Sequence, residues 1–341
     1  MRVIAPSPYR APRWLAGGHA QTIWPYFLRR PHVPMRRERV DTPDGDFWLF
    51  DWLDAPASNP HAPLVVLFHG LEGSAASHYA RALFARLAAL GWRGVVPHFR
   101  GCADEPNRLP RAYHSGDHEE IAAMLAAVRA RAPAAAVLHA VGVSLGGSAL
   151  LNWLGRAGAG AANTVSRAAA VSAPIDLMAA GQAIDRGFNR LYASHFLHTL
   201  KPKALSMAQR FPGRIDASAV ARVRSMWAFD DVVTSRLHGF ADTEDYWTRA
   251  SCKRWLASIR VPTLVLNARN DPFVPGESLP GPAEVADHVV LEQPAQGGHV
   301  GFMTGPMPGR LDWLPNRLVA FFASARDIPV SSAAAHPTLP P

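Results

Sequence analysis

Residues 134–147 read Ala-Ala-Ala-Val-Leu-His-Ala-Val-Gly-Val-Ser-Leu-Gly-Gly. An apolar, strand-like run ends in Gly142-Val143-Ser144-Leu145-Gly146, and a helix-like stretch follows. G-x-S-x-G between a strand and a helix is the pattern of a nucleophile elbow, a tight turn that exposes one serine hydroxyl. The flanking glycines are required because the backbone is strained there and strand and helix approach closely. The turn also sets a helix N-terminus beside Ser144, where backbone N–H groups can meet a developing negative charge. The competing reading is a Gly/Ser turn with no chemistry, and the rest of the chain has to decide between them. Residues 134–154 contain no Asp, Glu, Lys or Arg. His139, Gly142, Ser144, Gly146, Gly147 and Asn152 nevertheless argue for a buried strand, turn and helix rather than a membrane span.

Outward from the elbow, apolar strand runs alternate with amphipathic helices. That alternation predicts an α/β fold: a mostly parallel central sheet with helices on both faces. Residues 35–54 read as a hairpin turning at Pro43-Asp44-Gly45. Strands are expected over Leu64–Phe68, Gly94–Phe99, Ala168–Ser172, Thr263–Asn267 and Val289–Leu291. Helices are expected over Ser77–Leu90, with Leu83, Phe84, Leu87 and Leu90 on one face, and over Trp313–Phe322. Asp117 precedes a further helix whose Ile121, Met124, Leu125 and Val128 share a face, with Glu119 and Glu120 suiting the dipole of its first turn. Between about 177 and 255 the strand signal stops and helical patches, aromatics and charges take over. The organisation expected is an N-terminal extension over 1–34 packed on the core, a first core part over 35–176, a helical lid over 177–255, a second core part over 256–326 and a disordered tail over 327–341.

The chain of 341 residues is 48% hydrophobic and 18% charged, enough for a large core. Two cysteines, Cys102 and Cys252, supply neither a disulfide framework nor a metal spacing, and a reducing, cytoplasmic setting fits them. Residues 1–17 mix Pro and Arg without a continuous apolar run, so no signal peptide is expected. The net charge of +8 raises nucleic-acid binding. Its basic residues are scattered, though, and the one dense patch, Arg29-Arg30 with Arg36-Arg37-Glu38-Arg39, reads as a solvated basic face. His114-Ser115-Gly116-Asp117-His118-Glu119 lacks the H-E-x-x-H spacing of a zinc site. No dinucleotide or phosphate-loop glycine motif is present, and no cofactor is expected.

A serine hydroxyl needs a base within reach, and the base needs an orienting acid. In elbow-type enzymes these follow the serine in the order acid, then histidine, after later strands. Asp271 follows the strand at 263–267, and His299 lies in the Gly-rich loop Gln296-Gly297-Gly298-His299-Val300-Gly301 after the strand at 289–291. Asp176 is the main rival acid, with Asp230 and Asp231 weaker ones. The ordered trio Ser144, Asp271, His299 favours the catalytic reading. An oxyanion hole needs two backbone donors. One is expected at the N–H of Leu145. The other is assigned to the N–H of Leu71, in Phe68-His69-Gly70-Leu71-Glu72-Gly73-Ser74, where His69 reads as structural. Trp227, Phe229, Phe240, Tyr246 and Trp247 read as core of the lid, a minority lining an acyl pocket.

Several stretches together resemble the YheT-like family of α/β-hydrolases, also called the AB-hydrolase 4 family. They are Gly18-His19-Ala20-Gln21-Thr22-Ile23-Trp24, His69–Ser74, Phe99-Arg100-Gly101-Cys102 with Glu105–Arg108 and Tyr113–Gly116, and Phe229-Asp230-Asp231 with His238-Gly239-Phe240. The resemblance covers roughly Gly18 to Phe322. It implies an α/β-hydrolase fold, a Ser144, Asp271 and His299 triad, and hydrolysis of short- to medium-chain acyl esters, small or lipid-like; relatives often carry an N-terminal membrane anchor, but residues 1–17 do not read as one, so no stable membrane insertion is expected. Some relatives transfer the acyl group to an alcohol, which is one alternative. A non-catalytic binding module on the same fold is another.

Overall fold

A computed structural model describes residues 5–324 apart from 30, 57, 58, 60, 103, 104 and 135. The tail expected over 327–341 lies outside the described residues, as does Arg30. The eight strands described are β1 (Arg36–Asp41), β2 (Phe47–Leu53), β3 (Leu64–Phe68), β4 (Arg93–Pro97), β5 (Leu138–Val143), β6 (Arg167–Val171), β7 (Thr263–Leu266) and β8 (Val289–Glu292). They form one sheet in the order β1-β2-β4-β3-β5-β6-β7-β8. The pairs β1–β2 and β2–β4 are antiparallel and the remaining neighbours are parallel.

Alternation along the strands divides the core in two, because successive side chains point to opposite faces. Leu64, Val66, Phe68, Ala140 and Ala168 lie in one cluster with Ile121, Met124, Leu150 and Trp153. Those four come from α3 (His118–Arg131) and α4 (Leu145–Ala157). Val65, Leu67, Val141, Ala169 and Leu264 lie in the other cluster, with Leu83, Phe84, Leu87, Leu318 and Phe322. Those five come from α2 (His78–Ala89) and α11 (Trp313–Ala323). Each fully buried aliphatic or aromatic side chain contributes roughly 1.5–3 kcal/mol against exposure. Before α2, the short α1 (Gly18–Ile23) packs near the C-terminal ends of the parallel strands, where it reaches the loop at 297–299.

In the segment between β6 and β7 the regular secondary structure of the described residues is all helical, joined by turns. It runs through α5 (Leu177–Ile184), α6 (Arg190–Arg210), α7 (Ala217–Arg222), α8 (Met226–Phe229), α9 (Ser235–His238) and α10 (Thr243–Ala250). It carries its own apolar cluster, including Ile184, Leu197, Leu200, Ile215, Val220 and Phe229. Asp176, Asp216, Ser225 and Asp242 cap helices here by accepting backbone N–H groups.

Two details differ from the sequence reading. The strand expected over Gly94–Phe99 starts at Arg93 and stops at Pro97. Phe99 leaves the ladder because its N–H donates to His69 Nε2 at 3.2 Å instead of to a strand. The basic patch is not merely a solvated face. Arg37 holds the buried Asp51 with two bonds of 2.7 and 2.8 Å, Arg36 pairs with Asp54, and Arg39 pairs with Glu105. Strand register causes this, since Arg37 lies opposite Asp51 across the β1–β2 pair.

Candidate active site

The elbow is built by close approach. Ser144 caps α4 with φ 52° and ψ −122°, a strained conformation for a residue with a side chain. A carbon added at Gly146 would lie 2.5 Å from the carbonyl oxygens of Phe68 and His69, and one added at Gly142 would strike the Gly146 carbonyl. No other residue fits at either position without moving β3 or α4. The Ser144 N–H is anchored on the Val171 carbonyl at 2.9 Å.

Asp271 and His299 arrive from the ends of β7 and β8. His299 Nε2 lies 3.0 Å from Ser144 Oγ, and Nδ1 lies 2.8 Å from Asp271 Oδ2. The Asp271 carboxylate is fully enclosed and accepts the N–H groups of Phe273 at 2.8 Å and Val274 at 3.3 Å through Oδ1. Those donors fix the carboxylate plane and leave Oδ2 for the imidazole. The rival Asp176 instead caps α5, accepting the Ala179 N–H at 3.1 Å.

The loop bearing His299 has backbone of high energy. Gly298, Val300 and Phe302 all have positive φ, which for a β-branched residue is a true outlier. Side chains from distant parts of the chain hold it. Gln21 Oε1 accepts the Gly297 N–H at 2.9 Å, Asn270 Oδ1 accepts that of Gly298 at 3.0 Å, Thr22 Oγ1 accepts that of His299 at 2.9 Å, and Ser172 Oγ accepts that of Val300 at 3.1 Å. Gln21 is itself set by Asn270 at 2.9 Å and by the Leu15 carbonyl at 2.8 Å. None of these four residues is assigned a role by the sequence reading. The stretch Gly18–Trp24 was a signal without a mechanism.

The loop after β3 passes over the elbow, since a carbon added at Gly70 would lie 3.1 Å from Ser144 Cβ. Its N–H groups are nearly all used. Gly70 donates to Tyr79 Oη at 2.9 Å, Glu72 to Tyr113 Oη at 2.8 Å and Gly73 to the Gly70 carbonyl at 2.9 Å. Among the described residues the Leu71 N–H has no acceptor. The Leu145 N–H, in the first turn of α4, also has none. His69 is fully buried between the Gly70 carbonyl at 2.8 Å and the Phe99 N–H, and burial pushes its pKa down to about 3. A neutral ring with both nitrogens satisfied is a structural histidine.

Ser144, His299, Leu71 and Leu145 line a cavity of about 500 Å³. The helical segment 177–255 supplies much of its wall, including Leu177, Ile184, Leu200, Met226, Phe229 and Trp247. Asp230 also lines it. Burial raises this carboxyl to about 6, against the opposing bonds from Thr234 Oγ1 at 2.6 Å and Trp247 Nε1 at 2.8 Å. Phe229, Tyr246 and Trp247 are buried, whereas Trp227 is 40% exposed. Among the described residues no helix is long and apolar enough to cross a membrane.

An eight-stranded, mostly parallel sheet with a serine on a strained strand-to-helix turn defines a hydrolase scaffold, and the chain belongs to the α/β-hydrolase fold family, whose model matches residues 63–306. Within it the chain falls in the YheT-like group. It is 38% identical over 312 residues to the Escherichia coli (strain K12) protein named "Putative esterase YheT", covering 90% of each chain. It is 32% identical to "Phospholipase ABHD3" of Mus musculus, covering 88% of this chain and 74% of that one. An esterase of Pyrococcus furiosus shares the fold with a TM-score of 0.56 at 18% identity, covering 86% of this chain and 96% of the other.

Proposed function

We propose that this protein is a serine carboxylesterase that hydrolyses short- to medium-chain acyl esters through an acyl-enzyme on Ser144. The observation that carries this reading is the unbroken relay from Ser144 Oγ to His299 Nε2 at 3.0 Å and from Nδ1 to Asp271 at 2.8 Å, opening on an apolar cavity. Relatives named as an esterase and as a phospholipase support ester chemistry.

His299 takes the Ser144 proton as Oγ attacks the ester carbonyl carbon. Asp271 orients the ring and stabilises the imidazolium. The carbonyl oxygen takes up the negative charge between the N–H groups of Leu71 and Leu145. When the tetrahedral intermediate collapses, the C–O bond to the alcohol breaks and His299 protonates the leaving oxygen. Water then attacks the acyl carbonyl carbon as His299 takes its proton; the second tetrahedral intermediate collapses by breaking the bond to Oγ, His299 returns the proton to Ser144, and the carboxylic acid leaves. The helices of 177–255 act as a lid that holds the acyl chain. A cavity of this size, walled by Leu, Ile, Met and Phe, suits a short to medium chain of a small or lipid-like ester.

A fluorophosphonate probe tests this. It is expected to label the wild-type protein and not Ser144→Ala, and a panel of p-nitrophenyl esters of increasing acyl length is expected to be hydrolysed best at short to medium length. A folded wild-type protein that is neither labelled nor active on any of these esters overturns the reading.

A further inference from the structure

Glu72 follows the Leu71 donor directly and has φ 55°, a left-handed conformation that a glutamate adopts only when its surroundings impose it. Two side chains do so. Tyr113 Oη accepts the Glu72 N–H at 2.8 Å and donates to Glu72 Oε1 at 3.0 Å, so one hydroxyl grips backbone and side chain together. The Tyr113 ring is stacked on Phe99 at 5.1 Å with a 6° interplanar angle, so the hydroxyl has little freedom. Lys203 Nζ, from α6, donates to both carboxylate oxygens, at 2.9 Å to Oε1 and 2.8 Å to Oε2. The Glu72 side chain is 9% exposed and that of Lys203 is 46% exposed.

We infer that Glu72 is a positioning residue that sets the Leu71 N–H, and that Lys203 makes this setting depend on how the helical segment 177–255 is seated. The inference rests on the esterase reading above. The Gly70 carbonyl shares its peptide plane with the Leu71 N–H and accepts the Gly73 N–H at 2.9 Å, so a rotation at Glu72, which places that Gly73 N–H, releases the plane and re-aims the donor. With α6 in place, Lys203 neutralises the carboxylate and holds the loop in its strained form. With α6 displaced, the charge and the strain lose their support. Cavity closure and a formed oxyanion site are therefore one event.

The test separates positioning from packing by comparing kcat, KM and the affinity of phenylboronic acid, which adds to a serine oxygen and becomes tetrahedral. Glu72→Ala is expected to lower kcat about 10- to 100-fold, since displacing a catalytic donor by around 1 Å is enough for that, with KM changed less than about twofold. Boronate affinity should fall by the same factor as kcat. Lys203→Met, at a half-exposed position that tolerates substitution, should lower both by about 3- to 10-fold, and Lys203→Arg should restore them. If Glu72→Ala does not fold, the Lys203 pair decides. The inference is overturned if kcat and boronate affinity of the folded variants stay within twofold of wild type, or if KM rises while boronate affinity is unchanged. Fluorophosphonate labelling of Ser144 in these variants keeps the two proposals distinguishable. Labelled, active wild type with unaffected variants removes only this inference, whereas unlabelled wild type removes the esterase reading beneath it.

Discussion

At the C-terminal ends of the parallel strands the residues of the proposed relay are bound from several directions. Asp271 accepts three donors, and the His299 loop has four consecutive N–H groups taken by side chains. In the helical segment 177–255 the cavity wall is held mainly by apolar packing. Its polar links to the rest of the molecule sit mostly outside the apolar wall, among them Lys203 to Glu72, Asn189 to the Pro272 carbonyl, Arg210 to the Asn107 carbonyl and Tyr246 Oη accepting the Ser115 N–H. Packing without directional bonds tolerates substitution and movement more readily than a saturated polar network. The strand ends are suited to one geometry, and the insertion to adjusting what the cavity accepts.

Removing groups at the strand ends should have the largest effects. Ser144→Ala should lower kcat by about 10⁴- to 10⁶-fold, measured with a p-nitrophenyl ester. Asp271→Asn should lower it about 10⁴-fold, whereas Asp176→Asn, which alters only a helix cap, should stay within about threefold. A large loss in Asp176→Asn would transfer the acid role to it. Gln21→Ala tests the support rather than the relay. It strands the Gly297 N–H and the Asn270 amide, and should cost about 1–3 kcal/mol in denaturant unfolding together with a 10- to 100-fold loss in kcat. Unchanged kcat would mean the His299 loop holds itself.

In the insertion the expected effects are smaller and of another kind. Leu200→Trp should shift the preferred acyl chain to shorter lengths, with kcat for the shortest ester kept within about threefold. Asp230→Asn sharpens the contrast through pH. The folded pKa of Asp230, raised by burial to about 6, exceeds its unfolded value of about 3.9. Its neutral form is therefore favoured in the fold, and that stability is complete below pH 4 and lost as pH rises through 6. Replacing it with neutral Asn should raise stability at pH 8 by about 3 kcal/mol, with no gain at pH 4. In the sheet, the Arg37 guanidinium and His98 hold Asp51 well below the carboxylate range. Its contribution has the opposite sign, present above pH 4 and lost in acid. Equal pH profiles for Asp230→Asn and Asp51→Asn would erase the distinction.

Much of this molecule was legible from local pattern. Leu64–Phe68 was expected to the residue, because an apolar run bounded by turn signals is self-announcing. The Gly142–Gly146 elbow was legible because its glycines answer a local clash. Even the order of Asp271 and His299 along the chain followed from where α/β sheets gather their loops. The end of β4 was not, because a histidine thirty residues away intercepts the Phe99 N–H. Nor were the roles of Gln21, Thr22, Asn270 and Ser172, which meet the 297–300 backbone across separations of 28 to 277 residues.

Local pattern settled what depends on neighbours in the chain: strand and helix periods, the strained turn, the helix start at Asp117 and the candidate nucleophile, acid and base. Only the tertiary structure decided which N–H groups stay unpaired over Ser144, what holds the His299 loop in a left-handed path, and that Lys203 reaches Glu72. The physical reason is that hydrogen-bond satisfaction is an accounting over all groups that fold into one place, and no periodicity records which distant residue arrives there.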